Sequence, residues 1–283
     1  MKPIQPFTFI EQNPIIKPIR FLDYNKPRVG EIHKNIYNEE YMIIDYNGHR
    51  NMTIQFLDNY GYTKNHVSTS HINNGYVKNM YRKNIYNGYF GEGYYNAIYY
   101  PKEYTAWQHM LERHMEINQG DTKLSSYVNS TVCDEWYNYQ NFAHWYHTYM
   151  WGLNKQVNYE LDKDILQWGL KNKIYSPSTC CIVPHEINQA LVGCAYKIRN
   201  RDMLPTGVIK EPNFKKDTYR ASIRRYNKLY IIGHYKTPEE AFEAYKSEKQ
   251  KHIRELADHY YSINALKRDV YEKLCNISIN PFY

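Results

Sequence analysis

Between Glu160 and Asn188 the chain gathers side chains capable of chemistry. Asp162, Lys163 and Asp164 stand in a row, and Asn172, Thr179, Cys180, His185 and Asn188 follow. A lysine ammonium with an ordinary pKa near 10.4 would have to fall by about three units to act as a base at neutral pH. Left protonated, the same group is a phosphate clamp. A second set lies further on. Arg220 and Arg224 alternate along "TYRASIRR", Lys210, Lys215 and Lys216 precede them, and Arg225 and Lys228 sit at the following turn. Arginine at such positions can bond phosphate or the O6/N7 edge of guanine. His144 and His147 are three apart and therefore neighbours on a helix, a pairing that more often serves packing or a polar surface than ligation.

The charge distribution supports the second set. The 283 residues carry a formal charge of +7, and the stretch from Tyr196 to Tyr283 holds 18 Lys and Arg against 11 Asp and Glu, so the whole excess lies in the last third. A localised basic surface is the footprint of a polyanion binder, although a solvated face gives the same count. Mean hydropathy is -0.78. No run approaches the ~20 apolar residues of a membrane-spanning helix, and the first residues carry no apolar block with a cleavage site. Cys133, Cys180, Cys181, Cys194 and Cys275 show no C-x-x-C spacing, so reduced thiols and a cytoplasmic location are expected, with no membrane partner.

These groups need elements to position them. Residues 1–27, with four prolines up to Pro18 and a further one at Pro27, read as an extended arm. Residues 28–95 read as a small β-rich domain with a hairpin at Asn47-Gly48. Its many tyrosines suit a small core better than a base-stacking surface. Residues 101–195 change period: Trp107, Met110, Leu111 and His114 share a helical face, as do Trp136, Tyr139, Phe142, Ala143 and Tyr146, with Asp134 opening the second helix and Gly152 closing it. Residues 206–283 give the clearest pattern. Tyr219, Ala221 and Ile223 alternate with Arg220, Ser222 and Arg224, a turn and second strand follow, and Thr237, Pro238 and Glu240 mark a capped helix start. Phe242, Tyr245, Ile253 and Leu256 give that helix its core face, and Leu266, Val270 and Leu274 give one to a short last helix.

The last segment resembles the ethylene-response-factor (APETALA-type) DNA-binding domain. The residues that carry the likeness are Gly207, Val208, Tyr219 to Ala221, Ile223, Leu229, Gly233, Tyr235, Thr237, Glu239 to Ala241, Ala244 and Tyr245. The resemblance implies a three-stranded antiparallel sheet packed on one helix, with the sheet entering the major groove of duplex DNA. Lys210, Lys215, Lys216, Arg220, Arg224, Arg225 and Lys228 are then the DNA-binding candidates.

The middle segment resembles phage-encoded HNH homing-type endonucleases that carry such a domain. The likeness rests on "WQHML-x-R", "VCDEWYNYQNF", "LDKDI" and "NKIYSPSTC" with "VPHEIN". "RVGEI" and the run to Tyr46 resemble the small domain often attached at the front, and the Tyr, Asn and Lys bias fits AT-rich coding DNA. The resemblance implies a ββα-metal core holding Mg²⁺ or Mn²⁺, with Asp162 as metal ligand, Asn172 fixing the loop, and a histidine base where Lys163 stands. Asp164 could supply a second ligand or the base, and Thr179, Cys180, His185 and Asn188 all lie near the expected second ligand, of which His185 is taken here. The expectation is an α+β protein that binds duplex DNA. It either hydrolyses phosphodiesters with a metal or retains a nuclease-derived core that has lost cleavage and serves as a regulator, a host-defence inhibitor or a virion component.

Overall fold

A computed structural model describes residues 28–118, 130–192, 204–211, 218–226 and 228–280. The expected arm at 1–27 and the candidates Lys215 and Lys216 lie outside the described residues. The architecture is mixed α+β with several small sheets, and the chain divides into two compact units between Tyr94 and Tyr95.

The first unit is a four-stranded antiparallel meander in chain order: β1 (Ile32–Lys34), β2 (Glu40–Tyr46), β3 (Met52–Phe56) and β4 (Thr63–Val67), followed by α1 (Thr69–Asn73). Tyr41, Ile43, Met52, Ile54 and Phe56 are fully buried, and Tyr62 and Tyr81 join them with Tyr60 and Tyr89 packed alongside. The tyrosines thus build a core. The hairpin differs from a two-residue turn. Its loop spans residues 47–51, with the Asn47 amide donating to the Asn51 carbonyl at 3.0 Å and the Asn51 amide to the Gly48 carbonyl. Gly48, at φ 105°, supplies the left-handed residue that this wider loop requires.

The second unit opens with α2 (Pro101–Asn118), β5 (Ser130–Val132) and α3 (Tyr139–Tyr149). Trp107, Met110 and Leu111 of α2 are buried, and the Trp107 indole donates to the Trp136 carbonyl at 2.7 Å. The expected single helix from Asp134 is two pieces. Residues Asp134–Tyr137 form a 3-10 turn, and α3 starts only at Tyr139. Asn138 is the reason: its side chain accepts the Gln140 amide at 2.9 Å and caps the new helix. The helix stops at Tyr149, and Gly152 lies beyond it in a turn at φ 80°.

A strand, loop, strand and helix follow. β6 (Tyr159–Asp162) pairs antiparallel with β8 (Cys181–Pro184), Asp162 opposite Cys181, and α4 (His185–Leu191) continues directly from β8. Within the intervening loop, β7 (Lys173–Tyr175) pairs parallel with β5.

The last part is a three-stranded antiparallel sheet, β9 (Val208–Glu211), β10 (Thr218–Arg225) and β11 (Lys228–Tyr235), with β10 central. It is backed by α5 (Pro238–Ser262), against which α6 (Arg268–Cys275) packs. Thr237 caps α5 by accepting the Glu240 amide at 3.2 Å, and the Glu240 carboxylate accepts the Lys236 amide in return. Gly207 has φ 79°, and a Cβ there would fall 2.1 Å from the Tyr245 ring, so the entry to β9 needs both the conformation and the missing side chain. The stretches read as separate segments, 101–195 and 206–283, share a core. Ile165, Val183 and Ile187 belong to one buried cluster with Val208, Ile223, Phe242, Leu256, Leu266 and Val270.

Candidate nucleic-acid interface and the strand–loop–strand–helix core

Asp162 ends β6 with its carboxylate turned to its own chain. Oδ1 accepts the amides of Asp164 and Ile165, each at 2.8 Å, and the residue is buried. This is the turn chemistry of an aspartate that initiates a loop. Burial, with the neighbouring Asp164 charge, raises its pKa against the two amide bonds. Lys163 is only 2% exposed, and its ammonium donates to both Asp164 oxygens, at 3.0 and 3.2 Å. Lys173 reaches the same carboxylate at 2.5 Å. Burial pulls the Asp164 pKa upward, but Lys163 and Lys173 outweigh it and hold the carboxyl below its usual value.

The loop is fixed by a residue that the sequence pattern passes over. Gln167 is buried, donates to the carbonyls of Lys163 at 2.8 Å and Ile174 at 3.0 Å, and accepts the Ile174 amide at 3.0 Å. Thr179 adds a hydroxyl bond to the Ile174 carbonyl at 2.6 Å. Asn172, expected in this fixing role, is exposed beside Lys173. Cys180 is buried, and burial pushes its thiol up to about 12.

His185 opens α4 on the other side of the hairpin. Its Nδ1 lies 2.5 Å from Glu160 Oε1, and the Asn188 amide donates to the other oxygen of Glu160. The carboxylate contact at Nδ1 orients the ring and turns Nε2 away from Glu160. Glu160, one strand step from the aspartate, is the second residue missed by the pattern. Asp162 and His185 do not assemble the expected metal centre. The aspartate is buried and bonded to backbone, Asp164 is neutralised by two lysines, and no three His, Cys, Asp or Glu residues are grouped to hold a metal among the described residues. The donor set therefore does not fit Mg²⁺ or Mn²⁺, which favour several accessible oxygens. His144 is partly buried and His147 exposed: Tyr95 Oη lies 3.3 Å from His144, and His147 sits 3.5 Å from Glu103 beside Tyr95 and Tyr100.

On the C-terminal sheet, Ala221 and Ile223 are buried within the shared core, and Arg225 is held by two acids of α5. Its guanidinium donates to Glu248 at 2.9 Å and Glu255 at 2.6 Å. Arg225 therefore ties strand to helix and does not belong with the DNA-facing candidates. Arg220 and Arg224 alternate with this set. Arg220 donates to Glu211 at 2.8 Å, with His234 at 3.1 Å from the same carboxylate. Arg224 is exposed, as are Lys210 on β9 and Lys228 at the start of β11. In register with these arginines stand exposed apolar residues. Ile209 pairs with Arg220, Ile231 with Ser222 and Leu229 with Arg224.

No helix among the described residues is long and apolar enough to cross a membrane. Comparison with known proteins finds no matching family model, no similar curated sequence and no similar solved structure.

Proposed function

We propose that this chain binds duplex DNA through the β9–β10–β11 sheet, and that its β6–β8–α4 core is nuclease-derived but does not hydrolyse the DNA. The observation that carries the first half is the alternation on β10. One set of its residues is buried against α5, while Arg220 stands opposite exposed Ile209 and Arg224 opposite exposed Leu229. A sheet of this width fits the major groove. Arginines there bond phosphate or guanine, and apolar side chains meet the thymine methyl. The basic excess of the last third adds the sequence-independent attraction. The second half rests on Lys163 and Asp162, one locked in a buried ion pair and the other spent on loop amides. The strand–loop–strand–helix order and the quoted motifs support descent from phage HNH endonucleases.

One observation favours a hydrolytic reading instead. His185, oriented by Glu160, is half-exposed with Nε2 available to accept a proton from water. Two measurements separate the readings. Fluorescence anisotropy with a duplex oligonucleotide should give salt-dependent binding that Arg220→Ala/Arg224→Ala weakens. A plasmid-nicking assay with Mg²⁺ or Mn²⁺ should show no nicking. Nicking lost in His185→Ala would establish the hydrolytic reading, and a flat salt dependence would remove the DNA-binding one.

A further inference from the structure

A cleft of about 540 Å³ lies where α4, β10 and α5 meet, within the size range of small-ligand sites. Its walls include His185, Arg224, Tyr226, Lys249, His252 and Leu256. Lys249 and His252 are the unusual members. They are 5% and 3% exposed, and they face the cleft from one stripe of α5. Burying an ammonium is costly unless something answers its charge, yet among the described residues no carboxylate lies within ion-pairing distance of Lys249. His252 Nδ1 is likewise buried with no hydrogen-bond partner.

The charges around the cleft are lopsided. Arg225, beside it, is balanced by Glu248 and Glu255. His185 is answered by Glu160. Glu186, the one acid on the wall, accepts the Tyr260 hydroxyl at 3.0 Å. Among the described residues Lys249 and Arg224 have no acid partner, and the His252 imidazole shares the cleft with them. Burial, then Arg225 and Lys249, lower the His252 pKa, so the ring is neutral at pH 7 and offers one N–H. Tyr226, held at φ 47° and 62% exposed, stands edge-on to that ring, 5.5 Å between centroids.

The geometry points to a phosphate-binding cleft in which Lys249 and Arg224 supply the charge, His252 donates a hydrogen bond, and Tyr226 and Leu256 offer apolar surface to whatever bears the phosphate. A buried cation, an exposed one beside it and a neutral donor match a tetrahedral oxyanion. The phosphate belongs either to a DNA backbone or to a free phosphorylated molecule. The cleft shares Arg224 with the sheet proposed to bind DNA, whereas Lys249 and His252 belong to the cleft alone.

The test uses the full chain and follows the His252 ring resonances by NMR. Inorganic phosphate should shift them saturably. Lys249→Met, which keeps most of the side-chain volume, should weaken that response at least tenfold, and Arg224→Ala should do so without touching the core if Lys249→Met does not fold. A duplex lacking terminal phosphates provides the second arm. Shifts of the same resonances that are lost in Lys249→Met identify backbone phosphate as the source; Arg224→Ala serves the phosphate arm only, because the sheet shares that residue. A response to phosphate alone identifies a free phosphorylated ligand. His252 resonances that stay still with both probes, or a phosphate response unchanged in the variants, would overturn the proposal. Loss of duplex binding by the sheet leaves the phosphate arm intact, so the two readings fail separately.

Discussion

Lys163 and Asp164, neighbours in sequence, close an ion pair in which a nearly inaccessible ammonium donates to both carboxylate oxygens, at 3.0 and 3.2 Å. A lysine engaged in this way is neither a free base nor an available clamp. Removing one partner should be costly, because the other charge stays buried. Asp164→Asn is expected to destabilise by about 3 kcal/mol, and Lys163→Met in the same chain should restore much of that. Urea unfolding of the single and double variants measures it. Equal stabilities of the two would mean that the Lys163 charge is not the problem.

The raised pKa of Asp162 gives a pH dependence. Its folded value of about 6 exceeds the unfolded one, so the folded chain takes up the proton first. Stability from this group therefore increases as pH falls from 7 through 6 toward 4, and levels off below. Asp164 is depressed and loses its contribution only below the usual carboxylate range. His252 acts oppositely between 6.5 and its lowered value, but it is common to both chains when wild type is compared with Asp162→Asn. The difference between them should change by about 2 kcal/mol between pH 7 and 4.5.

Glu211 restrains Arg220. Glu211→Gln should free the guanidinium and remove a repelling charge, raising duplex affinity several-fold. Arg220→Ala/Arg224→Ala should lower it by about 2 kcal/mol or more. Anisotropy titrations at two salt concentrations read both, and weaker binding by Glu211→Gln would show that this carboxylate positions the arginine for DNA.

Thr237→Ala removes the cap of α5 and should cost about 1 kcal/mol. Duplex affinity at a temperature where the chain remains folded should not move, because Glu239, Glu240 and Glu243 crowd that end with negative charge. A loss of affinity without a loss of stability would place the helix start on the DNA.

Gln167→Ala should cost about 2 to 3 kcal/mol, since it strands the Lys163 carbonyl and the Ile174 amide and leaves the Ile174 carbonyl to Thr179 alone. Asn172→Ala, at an exposed position, should change stability by less than about 0.5 kcal/mol. Thermal melts of the two variants decide which residue fixes the loop.

Local periodicity made the C-terminal sheet and α5 legible. Alternation separated Ala221 and Ile223 from Arg220 and Arg224, and the Thr237 cap follows from side-chain chemistry within four residues. The site was less legible because its partners are set by tertiary contacts. That Arg225 belongs to Glu248 and Glu255 depends on where α5 crosses the sheet, and that Glu160 belongs to His185 depends on the β6–β8 register. Asn138 was visible as a capping residue type, but the apolar spacing that runs through it from Trp136 to Tyr146 concealed the break. Gln167 had no signal at all, since nothing local distinguishes an amide that will fix a loop from one in solvent.

The core shared by β8, α4, β10 and α5 constrains how such a chain can be assembled by recombination. A crossover in the stretch joining α4 to β9 would hand each recipient an element whose apolar face had lost its cover. Tyr260 would be parted from Glu186, and the Trp168 indole from the Ser278 carbonyl. The hairpin, its helix and the three-stranded sheet therefore form one cooperative block, which recombination within it would break and which should melt in one transition.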